Sequence, residues 1–185
     1  MKRRNFLFAS LLAVPMPSIA KLKSVVRSKK GVFVKANETC FDGEIKTESF
    51  DKIFCKVSEK DTDGDFSMFY KQADGSTNGG PPLHLHFSQD EVFYVIEGEF
   101  LIQVGEEKYH AKAGDTVFAP RQVPHAFINI GKSPFKMINT FQPAGNMEDF
   151  FIKVNALTGP PSKEDMSKLF EEHGMKLLGE RLRAE

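Results

Sequence analysis

The chain has 185 residues, 41% of them hydrophobic and 27% charged, with 25 basic and 25 acidic side chains and a formal net charge of zero. That length suits a single domain closing one core, and the composition excludes disordered and fibrous classes. The basic residues form no patch outside the N-terminus, so nucleic acid is excluded as a partner.

The first element in chain order is an address. "MKRRNFLFASLLAVPMPSIA" has a basic start, an apolar run from Phe6 to Val14 and a Ser18-Ile19-Ala20 end suited to a signal peptidase. The run is shorter than the roughly 18–20 residues that span a bilayer. An export signal is therefore expected over 1–20, with a periplasmic destination and no stable membrane insertion after cleavage. Arg3-Arg4-Asn5-Phe6-Leu7 resembles a twin-arginine signal, with Lys2 and Phe8 departing from it. A general secretory signal is the competing reading. A polar linker or arm is expected over 21–35. Beyond it, Cys40 and Cys55 either pair as a disulfide in an oxidising compartment or remain as two buried thiols.

After Lys30 apolar and polar residues alternate in short runs, with the barrel expected over 36–145: "GVFVKA", "FDKIFCKVS", "DFSMFYKQ", "EVFYVIEGEFLIQV", "KYHAKAGDTVFAP", "HAFINIG" and "FKMINTFQP". Such spacing, punctuated by Gly, Pro, Asn and Asp, predicts an antiparallel sandwich or barrel. Glu97-Gly98 reads as a tight hairpin, and Asp74-Gly75 and Gly131-Lys132 as further turns. The eighteen Phe, against three Tyr and no Trp, suit a barrel interior or an apolar pocket. After Pro143 the period changes to that of helices. "NMEDFFIKVNAL" puts Phe150, Phe151, Val154 and Leu157 on one face behind an Asn146/Asp149 cap. "SKEDMSKLFEEHG" begins with a capping box at Ser162 and Asp165, turns Met166, Leu169 and Phe170 inward, and stops at Gly174. The segment 146–185 is thus expected to be helical and packed on the barrel.

Two patches carry chemistry. In "GGPPLHLHFSQDEVFYVIEGE", His84 and His86 are one residue apart on a strand and so share a face, with Glu91 opening the next strand. Two imidazoles and a carboxylate from neighbouring strands are ligands that a divalent transition metal prefers. A fourth candidate is His125 in "GDTVFAPRQVPHAFIN", in a loop fixed by Pro120 and Pro124. His110, on a polar return, and His173, in a last helical turn, read as structural. "DTDGDF" lacks the glycine and glutamate of a calcium loop and reads as a solvated turn. No phosphate-binding loop and no serine nucleophile elbow is present.

The two patches together resemble the paired motifs of the cupin superfamily. The first is His84-x-His86, four residues, Glu91, six residues, Gly98; the second is Gly114, five residues, Pro120, then His125, three residues, Asn129. Fifteen residues separate Gly98 from Gly114, as in compact bacterial single-domain cupins. Gln122 and Asn78 stand where the motifs usually carry glycine. The resemblance runs from about Phe66 to Phe141 and implies a mainly β, double-stranded β-helix barrel with two short C-terminal helices. It also implies one divalent transition metal (iron, manganese, nickel, copper or zinc) held by His84, His86, Glu91 and His125. "PAGNMEDFF" and "LFEEHGMKLLG" are similar to the tails of quercetin dioxygenase-like cupins, which points to dioxygen chemistry.

The function expected is a metal-dependent, dioxygenase-like oxidoreductase acting on a small organic substrate such as an aromatic one. Glu91 would be both ligand and catalytic base, and Met68, Tyr70, Phe93 and Phe127 would line the substrate pocket, chosen by face parity. Metal-dependent isomerisation or decarboxylation without oxygen, and non-catalytic binding of a small molecule, are the alternatives, since cupin folds host all three. Many single-domain cupins pair as homodimers, and the resemblance extends that expectation to this chain.

Overall fold

Among the described residues, short apolar runs broken by glycine, proline and polar turns fold into ten strands in two antiparallel sheets, with three helices. The computed structural model describes residues 29–40, 52–73, 80–132, 134–157, 159 and 161–183. The expected signal over 1–20 and the Asp74-Gly75 turn lie outside the described residues, and 29–40 forms neither helix nor strand. In chain order the first elements are β1 (Lys52–Val57), α1 (Glu59–Thr62), β2 (Ser67–Ala73), β3 (Pro82–His86), β4 (Asp90–Glu97) and β5 (Glu99–Val104). Then come β6 (Glu107–Lys112), β7 (Thr116–Ala119), β8 (His125–Asn129), β9 (Phe135–Gln142), α2 (Met147–Asn155), α3 (Lys163–Glu172) and β10 (Met175–Arg181).

One sheet runs β1-β2-β9-β4-β7 and the other β10-β3-β8-β5-β6. Alternation on each strand sends one face inward. Phe69 of β2 lies opposite Asn139 of β9, which lies opposite Phe93 of β4. Across the interior, Phe127 of β8 lies opposite Ile102 of β5. The buried apolar side chains form two clusters. Phe93, Val95, Phe100, Ile102, Phe127, Phe135 and Met137 fill one end of the interior. Phe69, Phe141, Phe150, Phe151, Phe170 and Met175 fill the other, beneath the C-terminal elements.

Two expected features differ. Glu97-Gly98 is not a hairpin, because β4 and β5 belong to opposite sheets. Gly98, at φ +97°, turns the chain from one sheet to the other, and a Cβ there would lie 2.8 Å from Phe135 Cβ. The hairpin is instead Gly105-Glu106, joining β5 to β6 with Gly105 at φ +61°. The segment 146–185 is also not wholly helical. After Gly174, at φ +73°, the chain extends as β10, and Met175 and Leu177 pair with His86 and His84 of β3. The alternation in "MKLLGER" was masked by its position after a helix.

Of the helix caps, Ser162 behaves as expected, its Oγ accepting from the Asp165 amide at 3.0 Å. Asn146 makes no side-chain cap, and Asp149 instead meets Lys153 and His173 at 2.8 and 2.9 Å. His173 is buried and held at its other nitrogen by the Leu169 carbonyl, so it clasps α3 to α2. His110 is exposed on β6.

The arm before β1 is tied down by Lys56, whose ammonium donates to the carbonyls of Lys35, Ala36 and Glu38. The Cys40 amide donates to the Cys55 carbonyl at 3.0 Å, and the two thiols, both free, touch with their sulfurs 2.8 Å apart. That contact, with burial adding to it, pushes the Cys55 thiol up; at Cys40 the same contact draws the thiol down against burial. The contact places the two sulfurs to join once one of them has been oxidised. Oxidised glutathione should remove both thiols without leaving an adduct, read by mass spectrometry; a stable adduct on Cys40 would contradict the pairing.

Gly80 enters β3 against β8, and a Cβ at that position would strike the Phe127 carbonyl. Gly80→Ala should therefore lower stability by roughly 1–3 kcal/mol in chemical denaturation. A change within about 0.5 kcal/mol would show that the entry strand moves aside freely.

Candidate metal centre

His84 and His86 both point inward from β3, as the one-residue spacing requires, with intervening Leu85 on the other face. β8 runs antiparallel beside β3 and sets His125 directly opposite His84, with ring centroids 4.6 Å apart. Glu91 comes from the facing sheet, between Ala119 of β7 and Phe141 of β9. One ligand atom from each of His84, His86, Glu91 and His125 falls within 4.8 Å of the others, and all four residues are buried. The structure thus brings together the four side chains that the two motifs singled out.

Each imidazole is oriented by its second nitrogen. His84 Nδ1 meets the Pro82 carbonyl at 2.8 Å and His125 Nδ1 meets the Val123 carbonyl at 3.0 Å. Carbonyls only accept, so Nδ1 is a donor in both rings and each ring turns its Nε2 toward the site, where His125 Nε2 meets Glu91 Oε2. His86 Nδ1 meets Gln89 Oε1 at 3.1 Å, and Gln89 Nε2 donates to the Pro143 and Ala144 carbonyls at 3.2 and 2.7 Å. That network fixes Gln89 Oε1 as the acceptor and leaves His86 Nε2 bare. Glu91 is held on one side, where its Oε1 accepts from Asn139 Nδ2 at 2.6 Å. Its Oε2 lies 3.1 Å from His125 Nε2 and 3.6 Å from His86 Nε2.

This arrangement fits a metal. Three imidazole nitrogens and a carboxylate oxygen converge in a buried space, and His86 Nε2 has no hydrogen-bond partner. Electron-rich atoms so close need a cation between them. Burial, with His125 and His86 behind it, pushes His84 down to about 3, so its ring is neutral at ordinary pH. Burial alone would raise Glu91, but the hydrogen bond from His125 and the neighbouring His86 ring outweigh it and hold the carboxyl well below its usual range. Neutral imidazoles beside an ionised carboxylate are the state in which these groups ligate.

The loop before His125 is locked to β3. Gln122, standing where the motif usually has glycine, adopts φ +64°. That conformation costs a non-glycine residue roughly 1–2 kcal/mol. Its amide donates to the His86 carbonyl at 2.7 Å, which offsets the strain and joins the two histidine-bearing segments. Asn129 Oδ1 accepts from the Gly131 amide at 3.1 Å and shapes the passage to the opposite sheet.

Aromatic rings surround the group. Phe141 lies 5.5 Å from His86, Phe170 5.3 Å from His84 and Phe93 6.1 Å from His125, with Phe127 5.5 Å beyond Phe93. Phe93 and Phe127 are therefore interior, on the side expected of them. Met68 and Tyr70 are not: β2 turns Ser67, Phe69, Lys71 and Ala73 inward, and Tyr70 sits on the outer face 6.2 Å from Phe54. Apolar residues stand at both parities of "SMFYKQA", and an inward lysine misleads any choice made on polarity. Gln89 and Asn139 are site residues that the motifs do not reveal. Gln89 sits three residues after His86, but nothing in the sequence says which residue will hold its ring.

A barrel of two antiparallel sheets with a buried group that could hold a metal defines the class. Residues 76–141 match the family model described as "Cupin domain". An uncharacterised protein of Methanocaldococcus jannaschii is 37% identical over 67 residues, 36% of this chain and 54% of that protein. The chain spans about half the length of that curated relative. Among solved structures, KdgF from Halomonas sp. is similar at 20% identity and a TM-score of 0.46, covering 55% of this chain and 87% of its own. A protein described as a predicted oxalate decarboxylase from Thermotoga maritima is similar at 17% identity and a TM-score of 0.47, covering 50% and 80%. TT1209 from Thermus thermophilus is similar at 28% identity and a TM-score of 0.40, covering 43% and 74%.

Gln89→Ala frees the His86 ring, and Asn139→Ala frees the Glu91 carboxylate. Each should weaken metal affinity by about 10–100-fold, measured by competition with a chromogenic chelator. Affinities unchanged in both variants would show that the ligands hold themselves in place.

Proposed function

We propose that this protein is an exported, metal-dependent oxidoreductase of dioxygenase type, acting on a small organic substrate such as an aromatic one. The observation that carries the reading is the convergence of three imidazole Nε2 atoms and Glu91 Oε2, each imidazole being fixed through Nδ1. His84, His86, His125 and Glu91 are the residues that would hold one divalent transition metal. Such an ion supplies Lewis acidity and, where redox-active, a means of passing electrons to dioxygen.

The chain's own groups do the rest. Glu91 Oε2 faces the site and takes the substrate hydroxyl proton, while Asn139 keeps Oε1 from rotating. Phe93 and Phe127 exclude water on one side, and Phe141 and Phe170 on the other. Met1–Ala20 serves as the export signal, the destination is the periplasm, and two copies pair as a homodimer.

Elemental mass spectrometry on the purified full chain should find about one equivalent of a transition metal, lost in His84→Ala/His125→Ala. With candidate phenolic substrates, turnover should require air and stop under nitrogen. A wild type that takes up no metal on reconstitution contradicts the site, and turnover undiminished under nitrogen contradicts the oxidoreductase.

A further inference from the structure

An antiparallel sheet with one face on the core and the other in water should alternate apolar and polar residues. The sheet β1-β2-β9-β4-β7 breaks that rule on its outer side. On β4, Glu91, Phe93 and Val95 are buried inward, so Val92, Tyr94 and Ile96 face outward. Strand register carries this outer face across the sheet. Tyr94 lies opposite Ile138 of β9, Ile138 opposite Tyr70 of β2, and Tyr70 opposite Phe54 of β1. The neighbouring row runs from Phe118 of β7 through Val92 and Thr140 to Met68. Phe118, Tyr94 and Ile96 are 56%, 42% and 39% exposed. None of these outward side chains joins either apolar cluster of the interior. They include the second apolar parity of "SMFYKQA", for which the core has no use.

The dimensions suit a protein partner. β4 and β9 each run eight residues, which is about 27 Å, and five strands spaced at about 4.8 Å make the sheet roughly 20 Å across. A contiguous apolar surface on this scale marks an interaction site, and a standard interface takes about 800 Å² from each partner.

Charge says which partner. The two ends of β4 carry Asp90 and Glu97, and each has its own cation. Arg121 Nη2 lies 2.6 Å from Asp90 Oδ2, and Lys136 Nζ lies 2.6 Å from Glu97 Oε2. Both ends of the apolar stripe on β4 therefore present both signs. A partner of one sign would be met by a rim of the other. A rim with a cation and a carboxylate at each end is complementary to itself, as a two-fold contact requires. With a second copy laid on the first and its β4 reversed, the Asp90–Arg121 end of one meets the Glu97–Lys136 end of the other.

We propose that the outer face centred on Tyr94 and Phe118 is the surface through which two copies of this chain pair, in a two-fold contact of β4 across β4. The proposal rests on the homodimer reading above and deepens it by assigning the surface. Glu91 stands on the inner side of the same strand, so the contact backs the strand that presents the carboxylate to the metal site.

The test is sedimentation equilibrium on the purified protein, on Phe118→Glu and Tyr94→Glu, and on Tyr109→Glu as a control. Tyr109 is 44% exposed but belongs to β6 of the opposite sheet. Circular dichroism and metal content establish that each variant is folded. Wild type should be a dimer at micromolar concentration. Phe118→Glu and Tyr94→Glu should each raise the dissociation constant by about 100-fold or more, because a two-fold contact buries every substitution twice. Tyr109→Glu should dissociate like wild type. A dimeric wild type whose folded Phe118→Glu and Tyr94→Glu variants stay dimeric overturns the proposal and leaves the homodimer standing. So does a Tyr109→Glu variant that dissociates as readily as they do. A wild type monomeric up to about 100 μM overturns the surface and the homodimer together, and gives the face to a different protein or a lipid surface.

Discussion

Four electron-rich side chains have to be packed together in a closed apolar interior, and the rest of the fold answers to that constraint. Three imidazoles reach in from one sheet and a carboxylate from the other, so the group also bridges the two halves of the barrel. Without a positive charge among them, their mutual repulsion and the loss of hydration would oppose folding at its centre. A metal ion converts the same convergence into cohesion, because binding energy for a site absent from the unfolded chain is also folding energy. The site and the core are therefore one energetic unit.

The surrounding elements fix donors that are too few and too short to fix themselves. Backbone carbonyls of Pro82 and Val123 choose the tautomers of His84 and His125, so the prolines beside them act on chemistry as well as on chain direction. Gln89 reaches from the β3–β4 turn to the chain just after β9 and holds His86 on the way. Gln122 accepts backbone strain and gains a hydrogen bond that locks the His125 loop to β3. The C-terminal elements close the other side, β10 by pairing with the histidine strand and α3 by laying Phe170 on His84. None of these elements is remote from the site, which is why a chain of this size can support it.

How much of this was legible in the sequence follows from which interactions are local. A period of two places His84 and His86 on one face with no tertiary information, and the second motif supplies His125 at a recognisable distance. The alternation of short runs announced a β-barrel for the same reason. What failed depended on contacts between distant segments. Gly98 looks like a hairpin glycine until the two strands it joins are seen in opposite sheets. Met68 and Tyr70 read as interior because "SMFYKQA" is apolar at both parities, and the true inner face carries Lys71. β10 was hidden behind a helix because a single strand at a sheet edge has a weak pattern of its own. Asn139 and Gln89 could not be found at all, since an amide's partner across the fold leaves no mark in its neighbours.

The central claim is that three imidazoles and one carboxylate bind one metal together. X-ray absorption spectroscopy of the metal-loaded protein tests it most directly. The account predicts a first shell of nitrogen and oxygen at about 2.0–2.2 Å for a zinc-sized ion, with the outer-shell scattering of three imidazole rings. A shell of oxygen alone, without imidazole scattering, or one containing sulfur from Cys40 and Cys55, would contradict it.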